Sequence, residues 1–168
     1  MEAVVLLKEL VALSHTWYLG TVRELTEEQT NFVPPGTTHP IGALIAHAIL
    51  SEDGMVNQRL KGGQTIWDHD GWGARSGLPS LQGADEAAYR AFRMQPDALD
   101  EYRETVWAST DAFIDSLTAT DLDRELEFRP GRMMSVAGLF GIMINNNFSH
   151  VGEISVVKGL QGLKGYAV

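Results

Sequence analysis

A stretch of about 35 residues without periodic pattern, residues 62–96, divides the chain, and connections of that length are uncommon inside a compact domain. Two runs with apolar residues at helical spacing lie on either side of it. In the first, residues 2–25, Val4, Leu7, Val11, Tyr18, Val22 and Leu25 recur near the helical period. The second has Pro40 at its first helical position, with Thr38 or His39 as cap. It runs through Ile41, Leu44, Ile45, His47, Ala48 and Met55 and stops at Gly62-Gly63. Asp97 is the expected cap of the third, which continues through Leu99, Tyr102, Val106, Phe113 and Leu117. The fourth, residues 135–162, follows Pro130-Gly131 and Ser135. Thr26-Glu27-Glu28-Gln29 is a capping-box pattern that starts a short turn, and residues 85–93 predict a short helix inside the long connection. With no strand pattern found, these runs predict one all-α domain over residues 1–168, a four-helix bundle.

The fourth run also carries the chemistry. On a helix, Asn146, His150 and Glu153 fall within about 60° of one another, on the same side as Met143, Ile154 and Val157. Helices normally keep such an apolar stripe for the core. An amide, an imidazole and a carboxylate buried there without partners would each cost about 1–3 kcal/mol. They therefore predict either mutual pairing or a bound ion.

His47 gives this prediction a geometry. It lies about 14 residues before the end of its helix, and His150 about 14 residues after the start of its own. In antiparallel helices both stand about 21 Å along the axis; in parallel ones they differ by about 10 Å and share nothing. The antiparallel arrangement makes the second and third helices parallel, and the long connection supplies the crossover. An internal echo agrees with two related helix pairs: Leu25-Thr26, Pro35-Gly36 and Ile41-Gly42 match Leu117-Thr118, Pro130-Gly131 and Ala137-Gly138.

Composition narrows the function. A net charge of −9 argues against nucleic acid or an anionic membrane surface as partner. The absence of cysteine removes disulfides, thiolate ligands and a cysteine nucleophile. No apolar run reaches about 18 residues and no leader pattern is present, so a cytoplasmic location is the default expectation.

At His39-Pro40-Ile41-Gly42-Ala43-Leu44-Ile45-Ala46-His47 and Ser149-His150-Val151-Gly152-Glu153-Ile154 the chain resembles the DinB-like superfamily, four-helix proteins that are DNA-damage-inducible or thiol-transferase-like. Lys158-Gly159-Leu160-Gln161-Gly162 and the loop from Trp67 to Pro79 resemble one branch of it. The resemblance implies an up-down-down-up bundle with a long crossover between helices two and three, often as a homodimer. It also implies a zinc or nickel site built from one His of helix two and a His-x-x-x-His pair of helix four. Some relatives are metal-dependent thiol S-transferases using low-molecular-weight thiols.

Carried over, His47 and His150 match two ligands, while Asn146 stands where the pattern has His. An amide oxygen is a far poorer ligand than imidazole for such metals. Two readings follow: a metal-assisted transferase or hydrolase acting on a small-molecule substrate, or a non-catalytic small-molecule-binding or stress-related module with a degenerate metal site. Glu153 serves as base or as the orienter of His150.

Other residues are weighed against simpler roles. Trp67, Asp70 and Trp72 line a pocket mouth or pin the crossover; Asp68-His69-Asp70 binds a cation or is solvated. His15 is a packed or exposed residue and His39 a helix-start residue. Asn145 and Asn147 pack or cap. Glu52 and Asp53 lie more than about 100° around their helix from His47, away from the site. The Gly159, Gly162 and Gly165 spacing reads as a helix end, not a phosphate loop.

Overall fold

The computed structural model describes residues 2–166. The chain is mostly helical, with long helices α1 (Ala3–Val22), α3 (Ile41–Asp53), α7 (Asp100–Asp115) and α9 (Val136–Leu160). Shorter ones are α2 (Glu27–Asn31), α4 (Ile66–His69), α5 (Trp72–Ser76), α6 (Glu86–Ala91) and α8 (Ala119–Asp123). Strands β1 (Glu125–Arg129) and β2 (Arg132–Ser135) form an antiparallel hairpin, which the sequence reading did not expect. Its residues alternate, with Leu126 and Phe128 packed inward and Glu125, Glu127 and Arg129 exposed. A five-residue strand half open to solvent leaves too short a signal beside four long helices.

The local stops behave as their chemistry dictates. The Thr26 hydroxyl accepts from Gln29 N while the Gln29 side chain accepts from Thr26 N, a complete capping box. Thr118 and Asp121 repeat it before α8, so the echo between the halves extends to matched capped turns. Ser135 caps α9 by accepting from Gly138 N at 3.1 Å. Two expected caps differ. Pro40 is itself the N-cap residue of α3, with extended backbone and no side-chain bond. The third long helix starts at Asp100 rather than at Asp97, because a turn closed by Asp100 N on Asp97 O precedes it.

Past Asp53 the second long run widens into a π-helical segment, Gly54–Leu60, marked by Lys61 N bonding Val56 O five residues back.

Contacts between helices fix their directions. His47 meets His150 and Glu52 meets Asn147, so α3 and α9 run in opposite senses. Lys8 pairs with Asp115 and His15 stacks on Trp107, so α1 opposes α7. One core cluster includes Leu44, Ile45, Tyr102, Val106, Ile154 and Val157; a second includes Val11, Val56, Ile114, Leu139 and Phe140.

The crossover is packed rather than loose. Asp53 is fully buried and its carboxylate accepts from Ile66 N and Trp67 N, each at 2.9 Å, capping α4 from another helix. It also accepts from Tyr102 Oη at 2.6 Å and Asn57 Nδ2 at 2.9 Å. Trp67 and Trp72 then pack on the Tyr102 ring, with centroids 5.2 and 5.4 Å away.

Candidate functional site

Helices α3 and α9 bring His47 and His150 together, ring centroids 4.7 Å apart and planes near perpendicular. Each ring is oriented by a neighbour. His150 Nδ1 lies 2.7 Å from Glu153 Oε2, one turn along α9. That contact puts the proton on Nδ1 and leaves Nε2 with its lone pair. It also holds the Glu153 carboxyl below its ordinary value, against the opposing effect of partial burial.

His47 Nδ1 meets the Tyr89 hydroxyl in a short contact. Tyr89 Oη donates to Leu81 O at 3.1 Å, so its oxygen accepts from His47 Nδ1–H. The remaining nitrogen, Nε2, faces Ser51 Oγ at 3.1 Å. Burial lowers the His47 pKa to about 4, with the neighbouring His150 adding to the depression and Glu153 opposing it. Burial also raises the Tyr89 phenol above its ordinary value.

This shift has a measurable consequence. The folded value lies below the unfolded one, so the unfolded chain takes up the proton first as pH falls. His47 therefore contributes stability above about pH 6.5 that is lost progressively toward about pH 4. By nuclear magnetic resonance the His47 ring is expected to stay neutral at pH 6; a midpoint near 6.5 would contradict its burial.

Asn146 completes the cluster differently from a ligand. Its Nδ2 is buried and has no hydrogen-bond partner among the described residues. It lines, with His47 and Ser51, a cleft of about 290 Å³. The other walls come from Leu50, Met55, Leu81, Phe128, Ile142 and Met143, with Gln58, Arg59 and Gln82 supplying polar groups. On the far side, His39, Glu153, Thr38 and Tyr166 border a second depression of about 590 Å³.

Among the described residues, no group of three or more His, Cys, Asp or Glu side chains is placed to hold a metal ion. The donors at this point are two imidazoles and an amide, and since the amide is a poor ligand only two of the three strong protein ligands of an open zinc site are present. The set does not fit zinc or nickel as a complete centre.

The remaining expected residues lie elsewhere. Trp67 and Trp72 are buried on Tyr102, with Arg75 stacked 3.7 Å above Trp72, and neither lines the cleft. Asp70 is exposed and bonds His69 Nδ1 at 2.6 Å. Tyr89 was absent from the sequence-based candidates, since nothing in the spacing ties α6 of the crossover to His47.

Asn147, His15 and Glu52 form a separate centre. Glu52 is 1% exposed and its carboxylate collects three side-chain donors. His15 Nε2 lies 3.0 Å from both oxygens, Thr110 Oγ1 donates at 2.8 Å and Asn147 Nδ2 at 2.9 Å. The absence of Glu52 from the His47 cleft agrees with its expected angular offset, but its buried role was not foreseen.

Comparison with known proteins agrees with this architecture. A structure described as a conserved protein from Enterococcus faecalis superposes with a TM-score of 0.81 at 15% identity, covering 94% of this chain and 96% of that one. At that identity the likeness concerns the fold alone. No curated protein matches the sequence. The sequence pattern of the DinB superfamily matches residues 14–154, from within α1 to within α9 and including both histidines. The chain belongs to the DinB superfamily.

Proposed function

We propose that this protein binds a small molecule in the cleft between α3, α9, the crossover and the hairpin, at a centre that has lost one metal ligand. The observation that carries the reading is the buried, unpartnered Asn146 amide on the cleft wall beside a neutral imidazole. An orphaned amide costs about 1–3 kcal/mol, and a ligand group that pairs with it recovers that cost on binding. Apolar walls with a few convergent polar groups are the usual make-up of such sites. Behind the site stands an up-down-down-up four-helix bundle, a reading supported by α3 opposing α9 and α1 opposing α7.

A second reading, a metal-dependent transferase or hydrolase, is favoured by one specific observation. The Glu153 and Tyr89 contacts hold the proton of each histidine on Nδ1, so both Nε2 atoms are unprotonated, that of His47 facing the Ser51 hydroxyl. His47, His150 and Asn146 would then hold a zinc or nickel ion weakly, and such an ion lowers the pKa of bound water or of a low-molecular-weight thiol.

Metal titration of the purified chain decides between them. The first reading expects no stoichiometric zinc or nickel at micromolar concentration, and a gain of at least about tenfold in affinity for Asn146→His. Stoichiometric metal in the unaltered chain, lost in His150→Ala, establishes the second reading instead. Unchanged affinity in Asn146→His would show that residue 146 does not face the two rings.

A further inference from the structure

The cleft has a charge pattern opposite to that of the chain. The protein carries a net charge of −9, yet among the described residues Arg59 is the one formally charged side chain on the cleft wall and no carboxylate lines it. Two more guanidinium groups gather beside it. Arg59, Arg129 and Arg132 approach the Phe128 ring at 5.4, 5.1 and 6.0 Å, and Phe128 itself forms part of the wall. Among the described residues none of the three forms an ion pair. The nearby carboxylate of Glu127 is turned to Gly131 N at 2.8 Å.

Arg59 is also held in place. Its Nη1 donates to Glu127 O and Phe128 O, at 3.1 and 2.9 Å, which uses one of its three nitrogens and leaves the other two for a ligand.

The π-helical segment explains why an arginine twelve positions after His47 reaches the same cleft. In an unbroken α-helix, residues 47 and 59 would point about 120° apart. From Gly54 onward the helix turns more slowly, at about 4.4 residues per turn, and this brings Arg59 to within about 20° of His47. His47, Ser51, Met55 and Arg59 thus form one row along the cleft, with Arg59 about 15 Å from His47 along the axis. Apolar side chains, Leu50, Met55 and Met143 among them, fill the middle.

We infer that the cleft selects an amphipathic anion, its carboxylate or phosphate group paired with Arg59 and its apolar body lying along the Leu50, Met55 and Met143 wall. This rests on the cleft being the binding site, as proposed above, and adds the class of ligand.

Calorimetric titration with octanoate, octyl phosphate and neutral octanamide tests it. Both anions, or the better matched of them, are expected to bind at least tenfold more tightly than the amide. Arg59→Gln should abolish that margin, so that the anions bind no more tightly than octanamide. Arg132→Gln, off the cleft wall, should reduce the margin only slightly and serves as a folded control. Equal affinity for the three probes, or a margin that survives Arg59→Gln, overturns the inference. If octanamide binds and weakens on Asn146→Ala while the anions bind no better, the cleft stands and only the charge selection fails. If none of the probes binds, both fall.

Discussion

Replacing Glu52 by alanine is expected to lower stability by about 3–5 kcal/mol, the cost of removing one member of a buried polar pair. The loss comes from the partners left behind. His15, Thr110 and Asn147 all donate to this one carboxylate, from three different helices. All three donors are buried beside it, Thr110 fully and Asn147 and His15 down to 4% and 8% exposure. A fall in melting temperature on the order of 10 °C follows for a chain of this size, readable by calorimetry or from the urea midpoint. Glu52→Gln keeps an acceptor oxygen and the side-chain volume, so it should lose less than the alanine variant. A loss below about 1 kcal/mol for Glu52→Ala would mean that the three donors find other acceptors.

Asp53→Ala should act locally and release the crossover. Four donors converge on that carboxylate, two of them the backbone amides that begin α4. Leaving them unpaired costs about 2–4 kcal/mol. It also removes the cap that seats Trp67 and Trp72 against Tyr102. Hydrogen exchange at Ile66 and Trp67 is expected to quicken well before global unfolding, with new proteolytic cuts between residues 62 and 96. Unaltered protection at those amides would show that the tryptophans alone hold the segment.

The long elements were legible because periodicity and stop signals agreed. The Thr26 box, the Ser135 cap and the glycine-rich helix ends all had a readable local cause. The meeting of His47 and His150 was legible for a different reason: their heights coincide in only one helix direction. What the sequence did not disclose depends on distant partners or on a single extra residue in a turn. Tyr89 reaches His47 from a crossover whose path no spacing defines. Glu52 looked like a residue on the wrong side of its helix, when that side faces three donors from other helices. Arg59 was out of phase on a regular helix, and the π-helical segment restored it. The hairpin left its alternation in Leu126 and Phe128 and its turn in Pro130-Gly131, a signal too brief to outweigh the helical runs around it.

Ser51, Glu52 and Asp53 follow one another directly, yet one lines the cleft, one anchors the interior and one clasps the crossover. Slippage of this helix by a single residue would rotate each into its neighbour's place: in one direction Ser51 would stand where three donors wait, and in the other Glu52 would set a carboxylate where the hydroxyl belongs. An inserted or deleted residue between His47 and Asp53 would therefore disrupt three regions at once, whereas the exposed hairpin tip at Pro130-Gly131 can change length without that interchange.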